Sequence, residues 1–82
     1  MAKTFHLTIA RVGENLFDGD VASVSLPGVE GTFEVLAGHE AFVSELAPGP
    51  VRATSAEGER FHLEIAERGV AEISQNQATI LL

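Results

Sequence analysis

The chain has no cysteine, no tryptophan and no tyrosine, and only five of its 82 residues are lysine or arginine. Each absence removes a class of function. Without cysteine there is no disulfide and no thiolate metal site, so a chain this short must be held together by apolar packing or by a partner. The lack of cysteine also fits a reducing compartment. Five phenylalanines are the only aromatic anchors, which removes the usual platform for stacking single-stranded bases. A formal charge of −7 argues further against nucleic acid, because phosphate binding needs a basic footprint, and against an anionic membrane surface for the same reason. No apolar run approaches the length of a membrane span, so no direct membrane insertion is expected. The start, MAKTFHLTIA, lacks the apolar core and small-residue cleavage site of a signal peptide, and the chain reads as unprocessed and cytosolic.

Alternation dominates what is present. Phe5, Leu7 and Ile9 alternate with Thr4, His6 and Thr8, which is the period of a half-buried strand. Val24 and Leu26 alternate with Ser23 and Ser25, Phe33 and Val35 with Thr32 and Glu34, and Phe61, Leu63 and Ile65 face one way beyond a hairpin at Glu57-Gly58. Punctuation falls between these runs: Gly13-Glu14-Asn15, Asp18-Gly19-Asp20 as a tight turn, Pro27-Gly28 as a type II turn, Ala47-Pro48-Gly49-Pro50, Arg68-Gly69 and Gln75-Asn76. The run His39 to Leu46 has mixed period, compatible with a strand or with one helical turn. The stretch Phe17 to His39 carries the densest set of these marks. Residues 1–82 therefore read as a single all-β domain, an antiparallel sandwich or barrel of short strands.

The catalytic signals fail one by one. His6 and His62 sit on polar strand faces, and none of the three histidines has a neighbour at the spacing that builds a local metal site. Asp18-Gly19-Asp20 lacks the remaining oxygen ligands of a calcium loop. Glu57 and Glu59 flank a hairpin, where charge is ordinary solvation. His39 beside Glu40 has no paired nucleophile, which leaves a small hydrolase unsupported. The Gly28 to Gly31 spacing matches a short RNA-binding glycine loop, yet the flanking helices and basic neighbours of that loop are missing. No catalytic residue, cofactor site or metal site is expected, and the two glycines read as shaping a loop held out by strands, where binding usually occurs.

These residues carry a resemblance. Phe5-His6-Leu7, Phe17-x-Gly19, Val21-x-x-Val24, Gly28 with Gly31, Gly38-His39, Pro48-Gly49, Val51-Arg52, Glu72-Ile73 and Thr79-Ile80-Leu81 follow one another as in the N-terminal β-sandwich of the epsilon subunit of F-type ATP synthases. The resemblance covers nearly the whole chain. It implies a small antiparallel two-sheet β-sandwich of about eight to ten short strands. It also implies a non-catalytic subunit on the rotating central stalk, peripheral on the cytoplasmic side of the inner (plasma) membrane within the F1 complex, helping to couple proton transport to ATP synthesis. The partners implied are the gamma subunit, through Ala10, His39, Ala41 and Phe42, and the c-ring, through Gly28, Val29, Gly31 and Thr32.

The chain departs from that pattern at several places. Ala37 and Ala41 stand where the family usually has proline, and Thr32 stands where it usually has an acidic residue after the second loop glycine. The family normally continues into a two-helix hairpin, whereas this sequence stops at Leu82; if the gene ends there, the expectation is a stalk subunit without that helical brake, and if the chain is a piece of a longer one that expectation lapses. The competing expectation is a repurposed, free-standing β-sandwich acting as a regulatory or ligand-binding module, which would need a concave apolar pocket instead of a flat patch.

Overall fold

The computed structural model describes residues 3–82, and these form nine strands and no helix. They are β1 (Phe5–Arg11), β2 (Glu14–Val21), β3 (Ser23–Gly28), β4 (Gly31–Leu36), β5 (Phe42–Leu46), β6 (Gly49–Thr54), β7 (Arg60–Ile65), β8 (Gly69–Ser74) and β9 (Gln77–Leu81). Hydrogen bonding links them in the order β2-β1-β9-β8-β5-β3-β6-β7, with β4 on the remaining edge of β3. The link between β5 and β3 is the single pair Gly28 with Leu46. The sheet curls at that point, and β2-β1-β9-β8-β5 and β4-β3-β6-β7 form the two layers of a β-sandwich.

Period-two patterning decides which residues fill the space between the layers. Leu7 and Ile9 of β1, Ala78 and Ile80 of β9, Ala71 and Ile73 of β8 and Leu46 of β5 are buried from one layer. Val24 and Leu26 of β3, Val35 of β4, Val51 and Ala53 of β6 and Ile65 of β7 are buried from the other. All belong to one core, and no polar or charged residue is buried among the described residues. Phe17 of β2 and Phe61 of β7 meet at the open side of the sandwich with ring centroids 4.5 Å apart, which covers the core where the two edge strands do not pair.

Every pairing is antiparallel except β1 with β9, which run parallel from His6–Gln77 to Ala10–Leu81. This pair brings the two ends of the chain together, a long-range contact that local alternation does not encode.

Three local expectations need correction. Asp18-Gly19-Asp20 is not a turn. It lies inside β2, in register with His6 to Thr8, and the chain reverses instead at Val12-Gly13, where Gly13 takes φ +78°. Pro27-Gly28 ends its strand but is not the turn. Both residues pair with β4, and the turn falls one step later at Val29-Glu30. Pro27 is accommodated because its carbonyl still accepts from the Ala47 N–H at 2.8 Å. Pro50 is likewise in a strand, opposite Glu64. β3 pairs only with Arg52 to Thr54 of β6, so Pro50 lies where one flank of the strand has no ladder to interrupt. In each case the cross-strand hydrogen bonds outweigh a local turn preference. The ambiguous run His39 to Leu46 resolves as strand from Phe42, and Gln75-Asn76 is a turn as expected, with Asn76 at φ +58°.

Candidate docking surfaces

The outer face of the five-stranded layer can be written as three rows from the strand register. The first runs Asp20–His6–Gln77–Ser74, the second Asp18–Thr8–Thr79–Glu72–Val43, and the third Ala10–Leu81–Val70–Glu45. The middle of this face is polar. Gln77 Nε2 donates to Thr8 Oγ1 and to Thr79 Oγ1, each at 3.3 Å. The third row is apolar for three strands, with Leu81 54% and Val70 40% exposed, and Val43 beside it is 67% exposed. Large aliphatic groups left in water at adjacent positions mark a surface suited to a partner.

Val70 is a residue that the alternation could have revealed. Ala71 and Ile73 are buried, so parity sends Val70, one position before Ala71, to the outside. Leu81 follows from the same rule, since Ile80 is buried.

The residues expected at the c-ring come together. Gly28, Val29, Gly31 and Thr32 lie at and beside the β3–β4 turn and, with Glu30, Phe33, Val43, Ser44 and Glu45, line an open groove of about 630 Å³. Gly28 is required there by close approach: a Cβ at this position would lie 2.8 Å from the Gly31 carbonyl oxygen and 2.9 Å from Phe33 Cε1. Gly31 itself has φ +131°, a backbone state that side chains rarely adopt.

The residues expected at the gamma subunit do not all come together. His39, Ala41 and Phe42 sit at the β4–β5 connection. Gly38 at φ +83° turns the chain, and the His39 N–H bonds the Leu36 carbonyl at 3.2 Å. The imidazole, bonded through Nδ1 to the Glu40 carbonyl at 2.9 Å, lies 5.0 Å from the Phe42 ring. Phe42 in turn meets Phe33 edge-on at 5.5 Å and packs against the core. Ala10 is elsewhere: its row continues through Leu81 and Val70 to Glu45, whereas the row of Phe42 continues through Ile73 and Ala78 to Leu7. It lies three strands away from Phe42 and on the outward side of its sheet.

His6 has the most distinctive electrostatics of the described residues. Its Nδ1 is 3.0 Å from Asp20 Oδ1 and its Nε2 bonds Asp18 Oδ1, which also accepts from Thr8 Oγ1 at 3.3 Å. Hydrogen bonds first to Asp20 and then to Asp18 raise the imidazole above its ordinary value of 6.5. The stabilisation contributed by protonated His6 is therefore fully present below 6.5 and is lost as pH rises through the higher folded value. An NMR titration is expected to show His6 titrating above 6.5, with Asp18→Asn and Asp20→Asn each moving it back down. A wild-type value at or below that of either variant would show that the two carboxylates do not clasp the ring.

No group of three or more His, Asp or Glu able to hold a metal occurs among the described residues. The site is one of surfaces, and comparison with known proteins shows what the chain as a whole is similar to. Residues 4–82 match the family described as the ATP synthase, Delta/Epsilon chain, beta-sandwich domain. The chain belongs to that family. The ATP synthase epsilon chain of Bradyrhizobium sp. (strain ORS 278) is 40% identical over 78 residues, covering 95% of this chain and 56% of the relative. That of Protochlamydia amoebophila is 36% identical over 77 residues, covering 94% and 52%. These relatives are named ATP synthase epsilon chains. This epsilon-type sandwich spans about half the length of the curated relatives it matches.

Among solved structures, a chain of the Euglena gracilis mitochondrial ATP synthase, in a cryo-EM structure comprising OSCP, F1 and the c-ring, superposes with a TM-score of 0.88 at 30% identity. It covers 95% of this chain and 49% of its own. A chain from the central stalk and c-ring of the Tetrahymena thermophila mitochondrial ATP synthase gives 0.74 at 11% identity, covering 98% and 63%, which shows shared fold alone. The two-sheet sandwich implied by the resemblance in the sequence is thus the architecture of the domain.

Proposed function

We propose that the chain serves as the β-sandwich of a central-stalk subunit in an F-type ATP synthase, binding the gamma subunit and the c-ring and helping to couple proton transport to ATP synthesis. In this role it is peripheral, on the cytoplasmic face of the membrane as part of F1, and it does no chemistry of its own. The observation that carries the reading is the likeness over 95% of the chain to a component of an assembly that contains F1 and the c-ring. Two surfaces support it. The Gly28 to Thr32 turn, with its open groove, is the surface offered to the c-ring. Ala10 with Leu81 and Val70, together with His39, Ala41 and Phe42, is offered to gamma. Because Ala10 faces outward on β1 while Phe42, three strands away, lies in an inward row and packs against the core, gamma would meet the Ala10–Leu81–Val70 row and the β4–β5 connection as two separate contacts.

Co-expression with the cognate gamma subunit tests the reading. The two chains are expected to co-purify at low salt. Val70→Glu with Leu81→Glu, both outward and exposed, is expected to leave the fold intact and weaken capture at least tenfold, because carboxylates would be desolvated at the contact. Capture unaffected by the double substitution would remove the apolar row from the interface, and failure of the unaltered pair to co-purify would count against the stalk role itself.

A further inference from the structure

The outer face of the second layer carries a different chemistry. Its rows are Leu36–Ser23–Thr54–Arg60 and Glu34–Ser25–Arg52–His62, read across β4, β3, β6 and β7. A chain with a net charge of −7 has thereby placed two of its five basic side chains, Arg52 and Arg60, on neighbouring strands in adjacent rows. Diagonal neighbours of this kind are about 7–8 Å apart at their Cα atoms, within reach of long side chains. Arg11 and Arg68 have carboxylate partners, Glu14 at 3.8 Å and Glu45 at 3.4 Å. Arg52 and Arg60 have none among the described residues.

Two like charges on neighbouring strands, neither of them in an ion pair, repel each other, and an anion bound between them offsets that cost. The floor between them is made of hydroxyls. Ser23, Ser25 and Thr54 are half-buried, and the side-chain hydrogen bonds of the described residues use Thr8, Ser44, Ser55 and Thr79 but none of these three. Together with Arg52, Arg60, His62 and the carboxylate-bearing Glu34 they line a shallow depression of about 450 Å³.

We propose that this depression is a phosphate-binding site, in which the Arg52 and Arg60 guanidiniums grip the oxyanion and the hydroxyls of Ser23, Ser25 and Thr54 donate to it. Guanidinium forks match phosphate geometry, and neutral hydroxyls complete the oxyanion shell without adding charge. The carboxylates nearby set the affinity. Glu64 lies 3.4 Å from His62 Nε2, and Glu34 lines the depression itself, so the site is weak and sensitive to salt. The site lies on the opposite layer from the Ala10–Leu81–Val70 row, and it shares β3 and β4 with the Gly28 to Thr32 turn without being lined by that turn.

The test is an NMR titration of the 82-residue chain with inorganic phosphate at constant ionic strength, chloride serving as the control anion, following backbone amides and Arg Nε–H groups. Saturable shifts are expected at Ser23, Ser25, Arg52, Thr54 and Arg60. Arg52→Gln and Arg60→Gln should each weaken binding roughly tenfold, the loss of one charge-assisted hydrogen bond, and Glu34→Gln should tighten it. The spectra themselves report whether each variant is folded. O-phosphoserine in place of inorganic phosphate distinguishes an esterified from a free phosphate, and saturation by either supports the site. The proposal is overturned by an absence of saturable shifts, by equal shifts in the Arg52→Gln/Arg60→Gln double variant, or by saturation with a glutamate-rich peptide but not with phosphate.

Discussion

Leu26→Ala is expected to destabilise the domain by about 3–4 kcal/mol and to lower its thermal midpoint by roughly 15 °C or more. Leu26 is fully buried, and it lies on β3, which is bonded to β4, β5 and β6. A strand tied on both flanks cannot move inward to fill the space left by the lost side chain, so the cavity persists and adds to the lost transfer energy. For a chain of this size the total stability is about 4–12 kcal/mol, and the substitution removes a large fraction of it. Leu36→Ala is the matched control. Leu36 lies on the adjacent β4 and is 52% exposed, so its truncation should cost less than about 1 kcal/mol. Thermal and urea denaturation followed by circular dichroism give both values. Equal losses for the two leucines would mean that the inward and outward faces of this layer have been assigned wrongly.

The same contrast explains which parts of the structure were legible in the sequence. Where a strand has one buried face, alternation alone locates it and orients it, as for Phe5, Leu7 and Ile9 or for Val24 and Leu26, because a one-residue slip would expose the whole apolar set. The turns were less legible. Asp18-Gly19-Asp20 and Pro27-Gly28 have strong local turn propensity, yet both are held in strands by partners distant in sequence, and the reversals fall at Val12-Gly13 and Val29-Glu30 instead. Gly31 was legible as punctuation next to a turn, and it opens β4 directly after Val29-Glu30 with φ +131°. The parallel pairing of β1 with β9, and the grouping of Arg52, Arg60 and the three hydroxyls, depend on register between strands. No local pattern carries that information. Ala10 illustrates the same point: its distance from Phe42 is a property of strand order, and strand order is set by the whole core.

Gly28→Ala is the second large effect, because it strikes the turn on which the proposed ring contact depends. The added Cβ would lie 2.8 Å from the Gly31 carbonyl oxygen and 2.9 Å from Phe33 Cε1. The phenyl ring can swing aside, at the expense of its edge-on packing with Phe42 at 5.5 Å. The carbonyl cannot move so freely, because Gly31 is already in a backbone state reserved for glycine and is paired to Gly28 across the turn. Overpacking of this kind costs about 1–3 kcal/mol, and here the strain is directed into the β3–β4 turn. Gly13→Ala separates steric clash from backbone strain: Gly13 has φ +78° but open space around it, so it should lose only about 1 kcal/mol and perturb amides near the β1–β2 turn alone. Gly28→Ala should perturb Val29 to Phe33 and, through the displaced ring, Phe42 to Glu45. In a reconstituted ATP synthase carrying this chain, Gly28→Ala should reduce proton-coupled ATP synthesis while Gly13→Ala leaves it near the unaltered level. If both variants are equally mild in stability and in coupling, the close approach at Gly28 is not what shapes this surface, and the turn is not the contact with the ring.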